Sequence, residues 1–330
     1  MAGRMDEYLV HQTEKPLAQV VSDHPEWQDR FYFNIHDMQG EFCAITGLGA
    51  YPNRNVMQAY LFAVHKGRHY AYFNVRPLNN DREVMRTGSL SYEIVEPQKT
   101  WRLEVADEAG GIRGSLEFAA RCPLYEFSPI HWQDGGQTVV HQQHYTQAGR
   151  YGGTLTIDGE TLGGLVGMRD RSWGIRDMPR VPMWIWIAAQ FDDCCISAWL
   201  WETPAGELIH FDGAQVFESG EVRQFTGLEH EIELHPGTKR LRSGRFQLIT
   251  AAGDKLSLGA EEIGSIFLGP MMPRWSESDG EALARADAAA FGFDEHCRFD
   301  LGGKTGYGVV EFMVTGGCRR YGIAPTRIAG

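Results

Sequence analysis

The 330-residue chain has no apolar run long enough to cross a membrane as a helix. Its longest, Val181 to Phe191, contains Pro182 and Gln190, and a helical span needs about 20 residues. The first ten residues carry Arg4, Asp6 and Glu7 and no apolar core, so they do not read as a secretory signal. A soluble, cytoplasmic protein is the expectation. Basic residues are scarce as well. Thirty-one Lys and Arg stand against 43 Asp and Glu, a formal net charge of -12. That balance argues against nucleic acid or an anionic membrane surface as the main partner, because both demand a basic footprint. No C-x-x-C occurs among the six cysteines, which read as buried, reduced thiols rather than a disulfide framework or metal site.

Common catalytic signatures are missing too. Gly302-Gly303-Lys304-Thr305 ends like a phosphate-binding loop, but the first glycine of that pattern falls on Arg298. Gly47-Leu48-Gly49 lacks the third glycine of a dinucleotide fingerprint. Neither G-x-S-x-G nor H-E-x-x-H is present. The histidines are scattered: His230 and His235, or His141 and His144, would point to opposite faces of a strand because their spacing is odd. No metal ligand set and no organic cofactor are expected.

What the chain does have is alternation. Leu228, His230, Ile232 and Leu234 interleave with Glu229, Glu231 and Glu233, and Trp101, Leu103 and Val105 interleave with Arg102 and Glu104. That period of two is a strand with one wet face. Turn residues fall between such runs at Lys66-Gly67, Asp158-Gly159, Ala205-Gly206 and Gly253-Asp254. Short strands at this cadence predict antiparallel sandwiches or barrels. Two helical exceptions are expected, a turn opening the stretch from Glu14 to Trp27 and a short helix from Glu281 to Ala290 capped by Ser278 or Asp279. Apolar content of 43% supports a sizeable core. A division near Leu165 gives two comparable β domains, 1–165 and 166–330.

One segment is richer in charge than folding alone requires: Gly167 to Asp177, with Arg169, Asp170, Arg171, Trp173, Arg176 and Asp177. Five of the nine tryptophans, Trp173, Trp184, Trp186, Trp199 and Trp201, fall in or just after it. Trp184 and Trp186 share a strand face, as do Trp199 and Trp201. Buried charges of this density must pair and hydrogen-bond to offset their desolvation. Two readings follow, an ion-pair network between domains with the indoles as core, or polar anchors beside an aromatic-walled cavity.

The stretch His144-Tyr145-Thr146-Gln147, the run to Gly167 and the element Arg169-Asp170-Arg171-Ser172-Trp173-Gly174 together resemble the AttH/hydroxyneurosporene synthase-like proteins. That group is close to the carotenoid hydratases and tocopherol cyclase-like proteins. Gly306-Tyr307-Gly308-Val309-Val310-Glu311 resembles the same group's C-terminal strand, whereas the first 140 residues match in strand content only. The resemblance implies an all-β fold of two lipocalin-like (calycin) antiparallel barrels. It also implies a hydrophobic ligand (isoprenoid, steroid, polyketide or aromatic) and catalysis without a metal or organic cofactor. Carotenoid hydratases carry His-Asp-His-Asn-Trp-Gly at the motif. Here Asp170, Trp173 and Gly174 match it, while Arg169, Arg171 and Ser172 replace the two histidines and the asparagine.

Alkene hydration begins with a proton delivered to carbon, so the acid must be neutral beforehand. Asp170 would be a poor acid if either flanking arginine paired with it, though strand alternation puts both on the opposite face. Glu311 lies beyond Gly306 and Gly308, which allow close approach, and His144 could serve as a base near neutral pH. The expected catalytic set is therefore Asp170, Glu311 and His144. Arg169, Arg171, Trp173, Arg176, Trp184, Trp186, Trp199 and Trp201 are expected to bind the substrate, and an indole face would stabilise a cation formed on protonation. Two functions compete: a lyase or isomerase/cyclase acting by hydration-dehydration, isomerisation or cyclisation, and a non-catalytic carrier of the same ligand. A homo-oligomer is compatible with either. A buried carboxyl group touching the ligand space would separate them, since a carrier needs none.

Overall fold

A computed structural model describes residues 13–107, 110–267 and 293–324. The first half of the chain supplies thirteen strands: β1 (Trp27–His36), β2 (Phe42–Tyr51), β3 (Val56–His65), β4 (Arg68–Pro77), β5 (Arg86–Thr87), β6 (Leu90–Glu96), β7 (Thr100–Asp107), β8 (Ile112–Ala120), β9 (Tyr125–Glu126), β10 (Ile130–Asp134), β11 (Gln137–Ile157), β12 (Glu160–Leu162) and β13 (Leu165–Arg176). The second half supplies eight: β14 (Met183–Gln190), β15 (Cys194–Glu202), β16 (Leu208–Phe217), β17 (Val222–Leu234), β18 (Leu241–Thr250), β19 (Lys255–Phe267), β20 (Phe293–Leu301) and β21 (Lys304–Val314).

The turns explain much of the local order. Lys66 and Gly67 have φ of 50° and 77°, and Asp158 and Gly159 have 50° and 85°. Positive φ at both central residues is the hairpin geometry whose twist matches that of paired strands. Ala205-Gly206 and Gly253-Asp254 likewise lie between consecutive strands, and Asp192-Asp193 is the turn from β14 to β15.

β14 to β21 close into an eight-stranded antiparallel barrel. The other strands form a sheet in the order β4-β3-β2-β1-β13-β11-β8-β7-β6-β5, with β9, β10 and β12 pairing along β11. It curls into a second, nearly closed barrel. Side chains bridge its seam: Arg76 of β4 donates to the carbonyls of Val84 and Arg86, and Ser89 N donates to the Tyr72 hydroxyl. The two lipocalin-like units are thus in place. β13 pairs with β1 and β11 of the first unit, so the chain passes between units at residues 177–182 rather than near Leu165. Residues 13–26 form turns instead of the expected helical turn, with Pro16 and Pro25 interrupting any helical ladder. The expected helix at 281–290 lies outside the described residues.

Alternation sorts the apolar residues into three layers. Phe33, Leu61, Trp101 and Phe118 fill the first barrel, and Ile185, Ile187, Phe246 and Phe299 fill the second. The third layer, with Tyr32, Phe62, Trp184, Trp186, Trp199 and Trp201, lies between the barrels. Every residue of β14 and β15 is buried, since one face of each strand meets the barrel core and the other meets this shared layer. Polar contacts fix the joint. Arg121 of the first unit donates to Gln190 Oε1 at 2.6 Å and to the carbonyls of Phe191 and Cys194 in the second. All six cysteines are buried free thiols.

Candidate active site between the barrels

Neither described barrel interior offers room for a substrate. The first contains a void of about 20 Å³ among Ile35, Phe42, Leu61 and Tyr92, space for about one water. The second is packed with phenylalanine and aliphatic side chains. The tryptophans point out of the second barrel, not into it, and the chemistry lies where they meet the outside of the first.

Cross-strand register builds that place. On the outer face of the second barrel, Asp294 pairs with Glu311, Glu311 with Trp186, Trp186 with Trp199, and Trp199 with Asp212. The result is one continuous row across five strands. Opposite it, Thr146 pairs with Asp170, Asp170 with Tyr32, Tyr32 with Gly47, and Gly47 with Tyr60. Gly47 has a local purpose: a Cβ there would sit 2.7 Å from the Tyr60 hydroxyl, so only glycine lets that ring lie across β2. One residue pair along, Arg30 and His144 each stand opposite Ser172.

Four charged groups converge between these rows. Arg30 donates to the Tyr60 hydroxyl at 3.2 Å. Burial alone would lower the Arg30 guanidinium, but Tyr60, Tyr51, Asp170 and Glu311 together raise it above the usual arginine range. Arg176 is lowered to about 10, first by burial and then by the like charge of Arg30, against the pull of Glu311 and Asp170. It lies 5.8 Å over the Trp184 ring and 5.6 Å over Trp199, a cation–π arrangement that partly offsets its desolvation. Arg30, Asp170, Arg176 and Glu311 are half-buried, whereas Tyr32, His144, Trp199 and Asp294 around them are buried. The four charged groups are therefore partly reached by solvent, beside a buried aromatic wall.

Carboxyl groups mark both sides of the cleft. His144 stacks on Phe127 at 4.8 Å and meets Trp199 edge-on at 4.5 Å. Its Nε2 lies 3.3 Å from Asp170 Oδ2. Across from it, Tyr32 donates to Asp294 Oδ2 and Trp184 Nε1 donates to Glu311 Oε2, both at 2.8 Å. Asp294 and Glu311 stand opposite each other on the β20–β21 ladder, close enough for the charge of Glu311 to disfavour ionisation of Asp294. Asp294 is 0% exposed. Burial, followed by the charge of Glu311, pushes it well above the usual carboxylate range. It keeps its proton at a pH where an exposed aspartate has lost it.

The structure thus brings Asp170, Glu311, His144, Arg176 and the four tryptophans of β14 and β15 together. It places Arg169, Arg171 and Trp173 elsewhere. Alternation turns these three to the other face of β13, toward the first barrel. Arg169 is 1% exposed, with both Nε and Nη2 bonded to Gln147 Oε1. Arg171 pairs with Asp29 and lies over Phe31 and Trp173, and Trp173 packs edge-on against Tyr145. The substrate-binding expectation for these three is therefore not supported by their positions. Four residues of the cleft escaped the sequence reading: Arg30, Tyr32, Tyr60 and Asp294. A signal existed for two of them, since Arg30-Phe31-Tyr32-Phe33 sets an arginine and a tyrosine on one face of an otherwise apolar strand. Asp294-Glu295-His296 was a second, three ionisable residues between Phe293 and Cys297.

No curated protein matches this sequence. Among solved structures the chain is similar to a protein designated AttH from Nitrosomonas europaea, with TM-score 0.63 and 16% identity over 87% of this chain and 92% of that one. It is also similar to kievitone hydratase from Nectria haematococca (TM-score 0.61, 11% identity, 87% and 89% covered). CghA matches with TM-score 0.56 and 13% identity over 88% of each chain. At these identities the likeness is one of fold. Residues 2–324 match a family described as a family of unknown function, DUF8625. The chain belongs to that family and has the double-lipocalin-like architecture of the AttH-like proteins.

Proposed function

We propose that this protein is an enzyme that adds or removes a proton on a hydrophobic small molecule held between its two barrels, in a hydration-dehydration, isomerisation or cyclisation. The observation that carries this reading is Asp294, a fully buried carboxyl group beside Glu311 that burial pushes toward its protonated form. A carrier of the same ligand has no use for a carboxylic acid sealed against an indole wall, and burying one is costly. The hydratase among the structural neighbours supports hydration within this group of reactions.

The roles follow from position. Glu311 is the member of the pair that reaches the cleft, so it is the proton donor. Asp294 is its positioning partner and resupplies the proton, held in turn by Tyr32. In a hydration, the Glu311 proton forms a new C–H bond at one alkene carbon, and its electron pair comes from the double bond. Positive charge develops at the neighbouring carbon, where the Glu311 carboxylate left by the transfer stabilises it. Water then adds to that carbon and gives a proton to His144, which Asp170 orients. Dehydration is the reverse. Isomerisation and cyclisation share the first step and end with loss of a different proton or attack by a second carbon–carbon double bond.

The test incubates the protein with panels of isoprenoids, steroids and flavonoids in deuterium oxide and reads carbon-bound deuterium by mass spectrometry. Deuterium incorporation is expected for the parent protein. Glu311→Gln is expected to lower it about 10²–10⁴-fold while changing ligand affinity only a few-fold. Ligands that bind without any exchange would leave the carrier reading in its place, and a Glu311→Gln variant as active as the parent would remove Glu311 as the proton donor.

A further inference from the structure

Among the described histidines only His131 and His141 are exposed, and the others are buried or half-buried. Along β11 His141 has no partner, because His144 points to the opposite face. Across the ladder it has one. β10 and β11 are antiparallel with His131 directly opposite His141, so both side chains leave the same face, their Cβ atoms about 4.5–5.5 Å apart. The ring centroids are 4.8 Å apart and the ring planes are tilted by 35°. Neither ring has a hydrogen bond or an ion pair among the described residues. Their nitrogens are therefore free, and both rings are open to water. Spacing along one strand cannot reveal such a pair.

Neutral imidazole suits copper, nickel and zinc as a ligand. At a metal–nitrogen distance of about 2.0–2.1 Å, with the nitrogen about 1.15 Å from the ring centre, the ion lies about 3.2 Å from each centroid. Two such ligands meeting at about 90–109°, the range from square-planar to tetrahedral, put their centroids about 4.5–5.2 Å apart. The observed 4.8 Å falls inside that span. Strand pairing sets the spacing before any ion arrives, and exposure lets the rings turn their nitrogens toward a shared point. We propose that His131 and His141 form a surface site for one divalent transition-metal ion, copper(II) in preference to nickel or zinc, with water in the remaining positions. No third imidazole, thiolate or carboxylate completes the set among the described residues, so the ion stays exchangeable. A bound ion ties β10, which pairs with β11 alone, to the strand that carries His144. It thereby stiffens the run from Tyr125 to Ile130, whose Phe127 stacks on that histidine. The site stands apart from the proposed function and needs no ligand between the barrels.

Isothermal titration calorimetry of the untagged full-length protein with the chlorides of copper(II), nickel(II) and zinc(II), in a buffer that does not bind metal, tests this. A saturable copper site is expected, about tenfold or more tighter than for nickel or zinc. His131→Asn and His141→Asn change exposed positions and should fold as the parent does by circular dichroism. Losing a ligand costs at least as much as losing an outer partner, so each should weaken copper binding about 10–100-fold or more. His235→Asn, at a half-buried histidine elsewhere, should bind copper as the parent does. Electron paramagnetic resonance of the copper complex should show two nitrogen ligands in the parent and one in either single variant. No saturable copper binding by the parent, His131→Asn and His141→Asn binding as tightly as the parent, or an equal loss in His235→Asn would each overturn the inference. None of these outcomes bears on proton transfer at Glu311, which the deuterium experiment tests separately.

Discussion

Arg169 shows how much the face of a strand decides about a residue. It sits in the most distinctive motif of the chain, yet its guanidinium points away from the cleft. It is held by Gln147 Oε1 at 2.7 and 3.1 Å and by the faces of Tyr145, Trp101 and Phe118 at 5.3, 5.9 and 5.9 Å. No ion pair joins it among the described residues. Its attachment is to an amide and three π-systems, so it stiffens the joint between β11 and β13 and takes no part in proton transfer. Arg169→Met removes the charge but leaves Gln147 Oε1 short of a donor, which should cost about 1–3 kcal/mol in urea unfolding. Arg169→Ala adds a cavity and should cost about 3–5 kcal/mol. Ligand affinity and deuterium exchange per folded molecule should match the parent in the methionine variant. Loss of exchange there with stability intact would return Arg169 to the active site. Asp170, one residue along, faces the other way, and this one-residue difference is legible from strand alternation alone.

At the scale of strands, the glycine of the same motif has a steric explanation. Gly174 has φ of 124°, and a Cβ on it would overlap the carbonyl of His141 and the backbone of Gln142 across the β11–β13 ladder. L-residues rarely adopt that conformation, so Gly174→Ala meets both strain and a clash that backbone cannot relieve. A loss of about 2–4 kcal/mol in urea unfolding is expected. Arg176, two residues on, should shift with it and lower ligand affinity in the protein that remains folded. A variant within about 0.5 kcal/mol of the parent would show that β13 bends freely at this point. The hairpin turns could be read from the sequence because Lys66-Gly67 and Asp158-Gly159 carry their backbone requirement locally. The sharing of a face by Trp184 and Trp186, and by Trp199 and Trp201, could be read as well. Which of their two faces met the barrel core could not. β14 and β15 are apolar on both sides, and the choice is made by strands of the first unit. Asp294 was hidden for a related reason: its partner Tyr32 lies 262 residues away, and strand pattern carries no information about contacts between sheets.

Over the whole molecule, the same layer that forms the cleft also buries ionisable groups that set a pH range for stability. His36 of β1 and His296 of β20 face each other across the joint with ring centroids 6.0 Å apart, and they are 0% and 1% exposed. Burial lowers His36 to about 4, an effect its backbone bond to Asp37 only partly opposes. Burial and then His36 lower His296 to about 3. In the unfolded chain both take a proton near pH 6.5. Between pH 6.5 and about 4 the unfolded state thus binds more protons, and stability falls as the pH drops. Glu295 has the opposite sign. Burial raises it to about 8 despite the nearby Arg240, so the folded state holds a proton that the unfolded chain has lost above pH 4.5. Stability on that account is full in acid and declines as the pH rises toward 8. Asp294, raised by burial, adds to the decline toward alkaline pH, and His210, lowered to about 4 by burial, adds to the acid loss. The opposed trends partly cancel between pH 4.5 and 6.5, so unfolding free energy should peak at about pH 6 and fall on either side. Urea titrations from pH 3.5 to 8.5 check this. His296→Gln should flatten the acid side by several kcal/mol and leave the alkaline side unchanged, whereas Glu295→Gln should flatten the alkaline side and steepen the acid limb between pH 4.5 and 6.5. An acid limb of the same steepness in His296→Gln would mean that the carboxylates, not the histidines at the joint, govern acid unfolding.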